Sequence, residues 1–126
     1  MYDKELVCDI LEQIIEALRI VQERCTFATC QNDFIDTKEG QEKLDGICMK
    51  LIAIGESLKN IDKITEKKLL VGYPQIEWKK IIGIRDFISH HYFDLDAEII
   101  FGICRNNIAD VLTVLQHIKN DLKKNT

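Results

Sequence analysis

The chain has 126 residues, 46% hydrophobic and 30% charged, which suits one globular domain and excludes a disordered or collagen-like chain. Its formal net charge of −4 argues against a simple polycationic nucleic-acid binder. That charge is segregated: residues 1–58 carry six Lys/Arg against twelve Asp/Glu, residues 59–85 seven against three, and residues 86–126 four against six.

Residues 3–25 place Leu6, Val7, Ile10, Leu11, Ile14, Ile15, Leu18 and Val21 three and four apart, with Glu12, Glu16 and Glu23 on the polar side. This is the pattern of an amphipathic helix. After a polar stretch with Asn32 and Asp33, Asp36 followed by Glu39 has the logic of a capping box and starts a second helix. Leu44, Ile47, Cys48, Leu51, Ile52, Ile54 and Leu58 carry it to about Asn60. The segment from Ile61 to Tyr73 is lysine-rich and less regular, with a short helical turn expected around 62–72. Pro74 suits the first turn of a third helix, because its missing N–H costs nothing there. That helix runs to about His90 and carries Trp78, Ile81, Ile82, Arg85 and Ile88. Asp94 or Asp96 caps a fourth helix, whose apolar positions continue from Ile99 to Leu122. With no convincing strand alternation and no internal repeat, the fold class is all-α, a bundle of four main antiparallel helices.

No apolar run approaches the ~18 residues of a membrane span. The start, Met-Tyr-Asp-Lys-Glu, lacks the basic and apolar regions of a signal peptide, so a cytoplasmic location is expected. Five cysteines (Cys8, Cys25, Cys30, Cys48, Cys104) are read as free thiols, mostly small apolar residues in helical patterns. Cys25 and Cys30 with His90 and His91 make a loose zinc constellation, which the buried-thiol reading outweighs. No metal or cofactor is expected.

The chemistry-bearing residues crowd the end of the third helix, in Arg85-Asp86-Phe87-Ile88-Ser89-His90-His91-Tyr92-Phe93. A histidine can take or return a proton near neutral pH, and an arginine can stabilise charge developing on a phosphate. Together they are the minimum equipment for metal-free cleavage of RNA, in which the 2′-hydroxyl is the nucleophile. On a regular helix His90 lies roughly 140° round from Arg85, so the two do not aim at one point. Convergence needs a distorted last turn or a second copy of the chain. On these residues alone, an arginine paired with Asp86 or Glu56 and an interface histidine explain the cluster as well. Glu56 is open between pairing with an arginine and a site role. Trp78 reads as core rather than a base-stacking residue, and His117 as a solvated one.

The string Arg85-x4-His90-x-Tyr92 resembles the signature of the HEPN superfamily, specifically the HepT-like toxins paired with minimal nucleotidyltransferases. Ile54-Gly55-Glu56-Ser57 is similar to that family's Gly-Glu element, and Tyr73-Pro74-Gln75-Ile76-Glu77-Trp78-Lys79 to its lead into helix three. Ile84-Arg85-Asp86 and His91-Tyr92-Phe93-Asp94-Leu95-Asp96 match its arginine element and the turn that follows. Glu77 stands where a second proline is usual, and Asp86 where asparagine is common; Asp86 either holds Arg85 in place or competes with phosphate for it.

The resemblance implies one HEPN-like domain over residues 1–126, forming a homodimer with a composite cleft. It implies a metal-independent RNA endonuclease, the toxin of a toxin–antitoxin pair, acting on an RNA substrate. In that pattern His90 is the general acid/base, Arg85 binds phosphate, Asp86, Ser89 and Glu56 are supporting groups, and His91 is a poorer catalytic candidate. The cognate nucleotidyltransferase antitoxin would silence the enzyme by transferring AMP to Tyr92. The alternative is a non-catalytic nucleotide-binding or docking subunit of a nucleotidyltransferase; a purely structural dimerisation bundle leaves the clustering of Arg85, His90 and Tyr92 unexplained. Lys59, Lys63, Lys67, Lys68, Lys79 and Lys80 flank the cleft in sequence and either attract phosphate backbone or merely solvate a loop.

Overall fold

The computed structural model describes residues 2–124, and among them all regular structure is helical. Five helices follow in order: α1 Lys4–Cys25, α2 Lys38–Ile64, α3 Trp78–His90, α4 Ala97–Asn106 and α5 Ile108–Lys124. Single 3₁₀ turns sit at Gln31–Phe34, Leu70–Gly72 and Tyr92–Asp94.

The first helix forms as its spacing dictates. Asp3 caps it by accepting from the Leu6 N–H at 3.1 Å, which satisfies one of the free donors at the helix start. The second helix departs from expectation at both ends. Thr37 rather than Asp36 is its cap, since the Thr37 hydroxyl accepts from the Gly40 N–H at 2.9 Å. At the far end α2 runs four residues past Asn60 to Ile64, because Ile61 belongs to the core and Thr65 closes the turn with its hydroxyl on the Ile61 carbonyl at 2.8 Å.

The third helix starts at Trp78, not Pro74. Two bonds to one carbonyl hold residues 73–77 out of helical form: the Trp78 indole N–H donates to Tyr73 O at 2.9 Å, and the Ile76 N–H at 3.4 Å. Ile76 and Trp78 are thereby buried together, so Pro74 initiates a turn instead. The expected fourth helix is two helices, α4 and α5. Asp96 caps α4 through the Glu98 N–H at 2.9 Å, and Asn107, with φ −120°, interrupts the run. Asparagines 106 and 107 compete for backbone bonds and are poor helix formers, although the apolar spacing passes through them unbroken. The bundle thus has five helices, not four main ones.

The core lies between α1, α2, α4 and α5. Leu11, Leu18, Ile47, Leu58, Ile100, Leu115 and Ile118 are fully buried in it. A buried side chain of this size contributes about 1.5–3 kcal/mol relative to leaving it in water. Helix α3 lies to one side, packed chiefly on α2, and buries only Trp78 and Ile88. Its outer face is open.

Cys25 and Cys104 form a disulfide that ties the end of α1 to α4, so two of the five cysteines are not the free thiols expected from sequence. A residue's partner 79 positions away is invisible to helical periodicity. In the chain-entropy account, closing so long a loop stabilises the fold by about 4 kcal/mol. Cys48 is a buried thiol, with burial pushing its pKa up to about 12, while Cys30 is exposed. The pairing also removes Cys25 as a zinc ligand, and among the described residues no three His, Cys, Asp or Glu side chains cluster as a metal site would require. No helix among them is long and apolar enough to cross a membrane.

Candidate active site

Helices α2 and α3 run antiparallel, with Gly55 facing Ile82 and Arg85, and Asp45 facing Tyr92. Gly55 sets their separation at this crossing. A Cβ there would fall 2.8 Å from the Arg85 Cβ and 3.3 Å from the Ile82 carbonyl oxygen, so only glycine admits so close an approach.

Arg85 is consequently anchored at its stem by α2 and at its head by two carboxylates. Its Nε–H donates to Oε1 of Glu56, the residue after Gly55, and its Nη1–H to Asp86 Oδ1 at 2.5 Å. The Asp86 hydrogen bond, with Glu56 beside it, holds the Arg85 pKa above its usual value, so the cation is permanent. A guanidinium has five N–H donors. Two are used here, and Nη2 has no partner among the described residues. Its side chain is 37% exposed, so those donors remain accessible to an anion. The sequence offered Asp86 or Glu56 as the partner of Arg85; both hold it.

His90 closes the last turn of α3. Its Nδ1 lies 2.8 Å from the Asp86 carbonyl oxygen. A carbonyl only accepts, so Nδ1 carries a proton and donates it, and whenever the ring is neutral Nε2 is its acceptor nitrogen. Asp86 therefore fastens both residues of the motif, Arg85 by its carboxylate and His90 by its carbonyl. His91, the C-cap residue, lies against Phe87 with ring centroids 5.1 Å apart. Ser89 is exposed and makes no side-chain hydrogen bond among the described residues.

A continuous helix would stack Tyr92 above Arg85 and Ser89. The helix ends at His90 instead, and a 3₁₀ turn swings Tyr92 across to α2. There its hydroxyl donates to Asp45 Oδ1 at 2.7 Å, and that bond raises the phenol pKa. Asp45 is the site residue that sequence reasoning missed. Its position offered one signal: Asp45, Met49, Ile52 and Glu56 share one face of α2, at offsets of four, seven and eleven residues. Phe93, which follows Tyr92 and lies against its ring, is 98% exposed, and Met49, one turn along α2 from Asp45, is 68% exposed.

Trp78 is core, as its spacing indicated, and His117 is exposed on α5, away from this cluster in sequence. Of the flanking lysines, Lys59, Lys63, Lys67 and Lys79 line a cavity of about 1100 Å³ between α2 and α3 that also takes in Glu56 and Arg85.

Comparison with known proteins points to the HepT-like ribonucleases. The family model described as ribonuclease HepT-like matches residues 10–118. The chain is 30% identical over 115 residues to a Methanocaldococcus jannaschii protein named "Putative RNase MJ0127", covering 91% of this chain and 85% of that one. It is 32% identical over 103 residues to a Thermococcus cleftensis protein named "Probable ribonuclease HepT", covering 82% of this chain and 86% of that one. No solved structure gives a significant match.

Proposed function

This chain belongs to the HepT-like ribonuclease family, and from that premise we propose that it is a metal-independent RNA endonuclease acting as the toxin of a toxin–antitoxin pair. The observation that carries the reading is the double tether on Asp86. It places a permanent cation and a histidine with a free Nε2 on one turn of an exposed helix.

In the proposed reaction His90 Nε2 removes the proton from a ribose 2′-hydroxyl. The 2′-oxygen attacks the adjacent phosphorus, a new P–O2′ bond forms, and the P–O5′ bond breaks. The products are a 2′,3′-cyclic phosphate and a 5′-hydroxyl, and the departing 5′-oxygen takes its proton from a histidine in its acid form. Arg85 stabilises the charge that builds on the phosphate between bond making and breaking. A homodimer supplies the second histidine. The exposed apolar side chains of Met49 and Phe93, together with the open outer face of α3, support a two-fold contact here.

The test is direct. Purified protein freed of its partner should cleave RNA in EDTA to cyclic-phosphate ends, and Arg85→Ala should lose ~10²-fold or more in rate, the usual scale for removing one charge-stabilising donor. Undiminished cleavage by Arg85→Ala would sink the assignment.

The antitoxin in this reading is a minimal nucleotidyltransferase that transfers AMP to Tyr92. Support comes from the position of the hydroxyl, which is part-exposed beside the motif and bonded to a carboxylate able to accept its proton. Each AMP adds negative charge and bulk where RNA must lie. Protein co-expressed with its antitoxin should gain mass in AMP increments, and Tyr92→Phe should not; increments persisting in that variant would move the site elsewhere. The two carboxylates on Arg85 also favour a second reading, a nucleotide-binding or docking subunit without cleavage. Calorimetric nucleotide binding with no RNA turnover over long incubation would replace the first reading by the second.

A further inference from the structure

The lysines between residues 59 and 80 divide into two groups. Lys68 lies 3.7 Å from Glu66 and Lys80 lies 3.1 Å from Glu77, both pairs fully on the surface. Lys59, Lys63, Lys67 and Lys79 instead line the cavity between α2 and α3, and none of them forms a salt bridge among the described residues. Their order matters. Because α2 and α3 are antiparallel and meet at Gly55 and Arg85, the lysines on α2 recede from Arg85 turn by turn, and Lys79 recedes from it along α3. From Glu56 to the end of α2 is about 12 Å at ~1.5 Å per residue. With Arg85 the cavity holds five cations against the two carboxylates Glu56 and Asp62, in a chain whose net charge is −4.

The backbone adds a second observation. Glu66 and Lys67 have φ of 55° and 60°, two successive non-glycine residues in the left-handed region. Glycine adopts that region at far less cost. The reversal they make, closed by the Lys67 N–H on the Asp62 carbonyl at 2.7 Å, returns Lys67 to the wall of the cavity. Beyond His90, in the opposite direction, the chain turns acidic at Asp94, Asp96 and Glu98, with Asp45 beneath Tyr92.

We infer that the α2–α3 groove is a track for the backbone of single-stranded RNA, leading the strand away from Arg85 on one side of the cleaved phosphate toward Lys67. The inference rests on the ribonuclease reading for its inner end, since Arg85 is where the reacting phosphate sits. A furrow between two helices in direct contact admits one backbone and not an A-form duplex. With its inner end at the reacting phosphate beside Arg85, the groove favours a nucleic-acid backbone over an acidic peptide.

The probe is a short fluorescent 2′-O-methyl oligoribonucleotide, which lacks the nucleophile and survives in contact with active enzyme. By anisotropy, Lys63→Gln/Lys67→Gln should weaken its binding about tenfold or more at low salt. The slope of log affinity against log salt should flatten by about 1.4, two phosphate contacts at ~0.7 each on a single strand. Lys68→Gln/Lys80→Gln removes the same charge outside the groove and should bind as wild type. Lys67→Gly should weaken binding while raising the thermal midpoint, which separates lost charge from lost fold.

Equal weakening by the two double variants would reduce the effect to bulk attraction and overturn the track. So would displacement of the probe by polyglutamate as effective as by unlabelled RNA, which would make the groove an acidic-peptide site. A groove variant that binds and cleaves like wild type overturns the track and leaves the ribonuclease reading standing. Selective weakening by the groove variant, in a protein that cleaves no RNA, does the reverse.

Discussion

Replacing His90 with alanine is expected to slow RNA cleavage by about 10²–10⁴-fold, the contribution of a positioned proton-transfer group. Helix content and thermal midpoint should not change, because His90 is exposed at the end of α3 and its side-chain bond among the described residues is one within its own helix, to the Asp86 carbonyl. The neighbouring histidine is the control. His91 has the same chemistry one residue on, yet its ring lies against Phe87 and it makes no bond to Asp86. His91→Ala should therefore retain most of the rate. Equal losses in the two variants would mean that the turn needs any histidine for its structure, and full activity in His90→Ala would remove the proposed general base. Steady-state cleavage of a defined oligoribonucleotide, with circular dichroism on each variant, separates these outcomes. In the proposed mechanism Asp86 is what distinguishes the two histidines: donation from His90 Nδ1 to its carbonyl fixes the tautomer that leaves Nε2 to accept a proton.

What the sequence made legible divides along physical lines. Apolar spacing located α1 and most of α2, because those residues bury a face whose period is the helix's own. The same spacing concealed the break at Asn107. Cys104, Ile108 and Val111 stay in register across it, so only the weak preferences of two asparagines marked the spot. Pro74 misled for a different reason: local propensity favours a helix start there, but burial of Ile76 and Trp78 decides the backbone. Contacts between distant positions were out of reach of periodicity altogether. The Cys25–Cys104 disulfide and the Tyr92–Asp45 bond belong to this class. The motif residues were identified by resemblance to a family, and spacing alone argued that Arg85 and His90 diverge. They do sit on different tethers. What spacing could not supply is that a single residue between them holds both ends.

Substitution of Gly55 by alanine should be the most damaging single-methyl change in this region, in stability and in activity together. The added Cβ meets the Arg85 Cβ at 2.8 Å and the Ile82 carbonyl at 3.3 Å. Neither neighbour is the far end of a flexible side chain, so the helices must part rather than a rotamer adjust. Overpacking of this kind costs about 1–3 kcal/mol. At ~4 °C per kcal/mol for a domain of this size, the thermal midpoint should fall by roughly 4–12 °C. Parting α3 from α2 also carries the Arg85 head away from Glu56, and a displacement near 1 Å in a positioned group can cost ~10²-fold in rate. The comparison is Gly102→Ala in α4, where an added Cβ meets nothing within 4 Å. There alanine gains about 1 kcal/mol of helix propensity, so the midpoint should rise and cleavage should hold. If Gly55→Ala also proved neutral or stabilising, the close approach of α2 and α3 would not be what seats Arg85. A variant that loses stability but keeps its rate would separate the packing of the pair from the placing of the guanidinium. Loss of both is the expected result, because the glycine that lets the helices meet lies one residue from the carboxylate that holds the arginine.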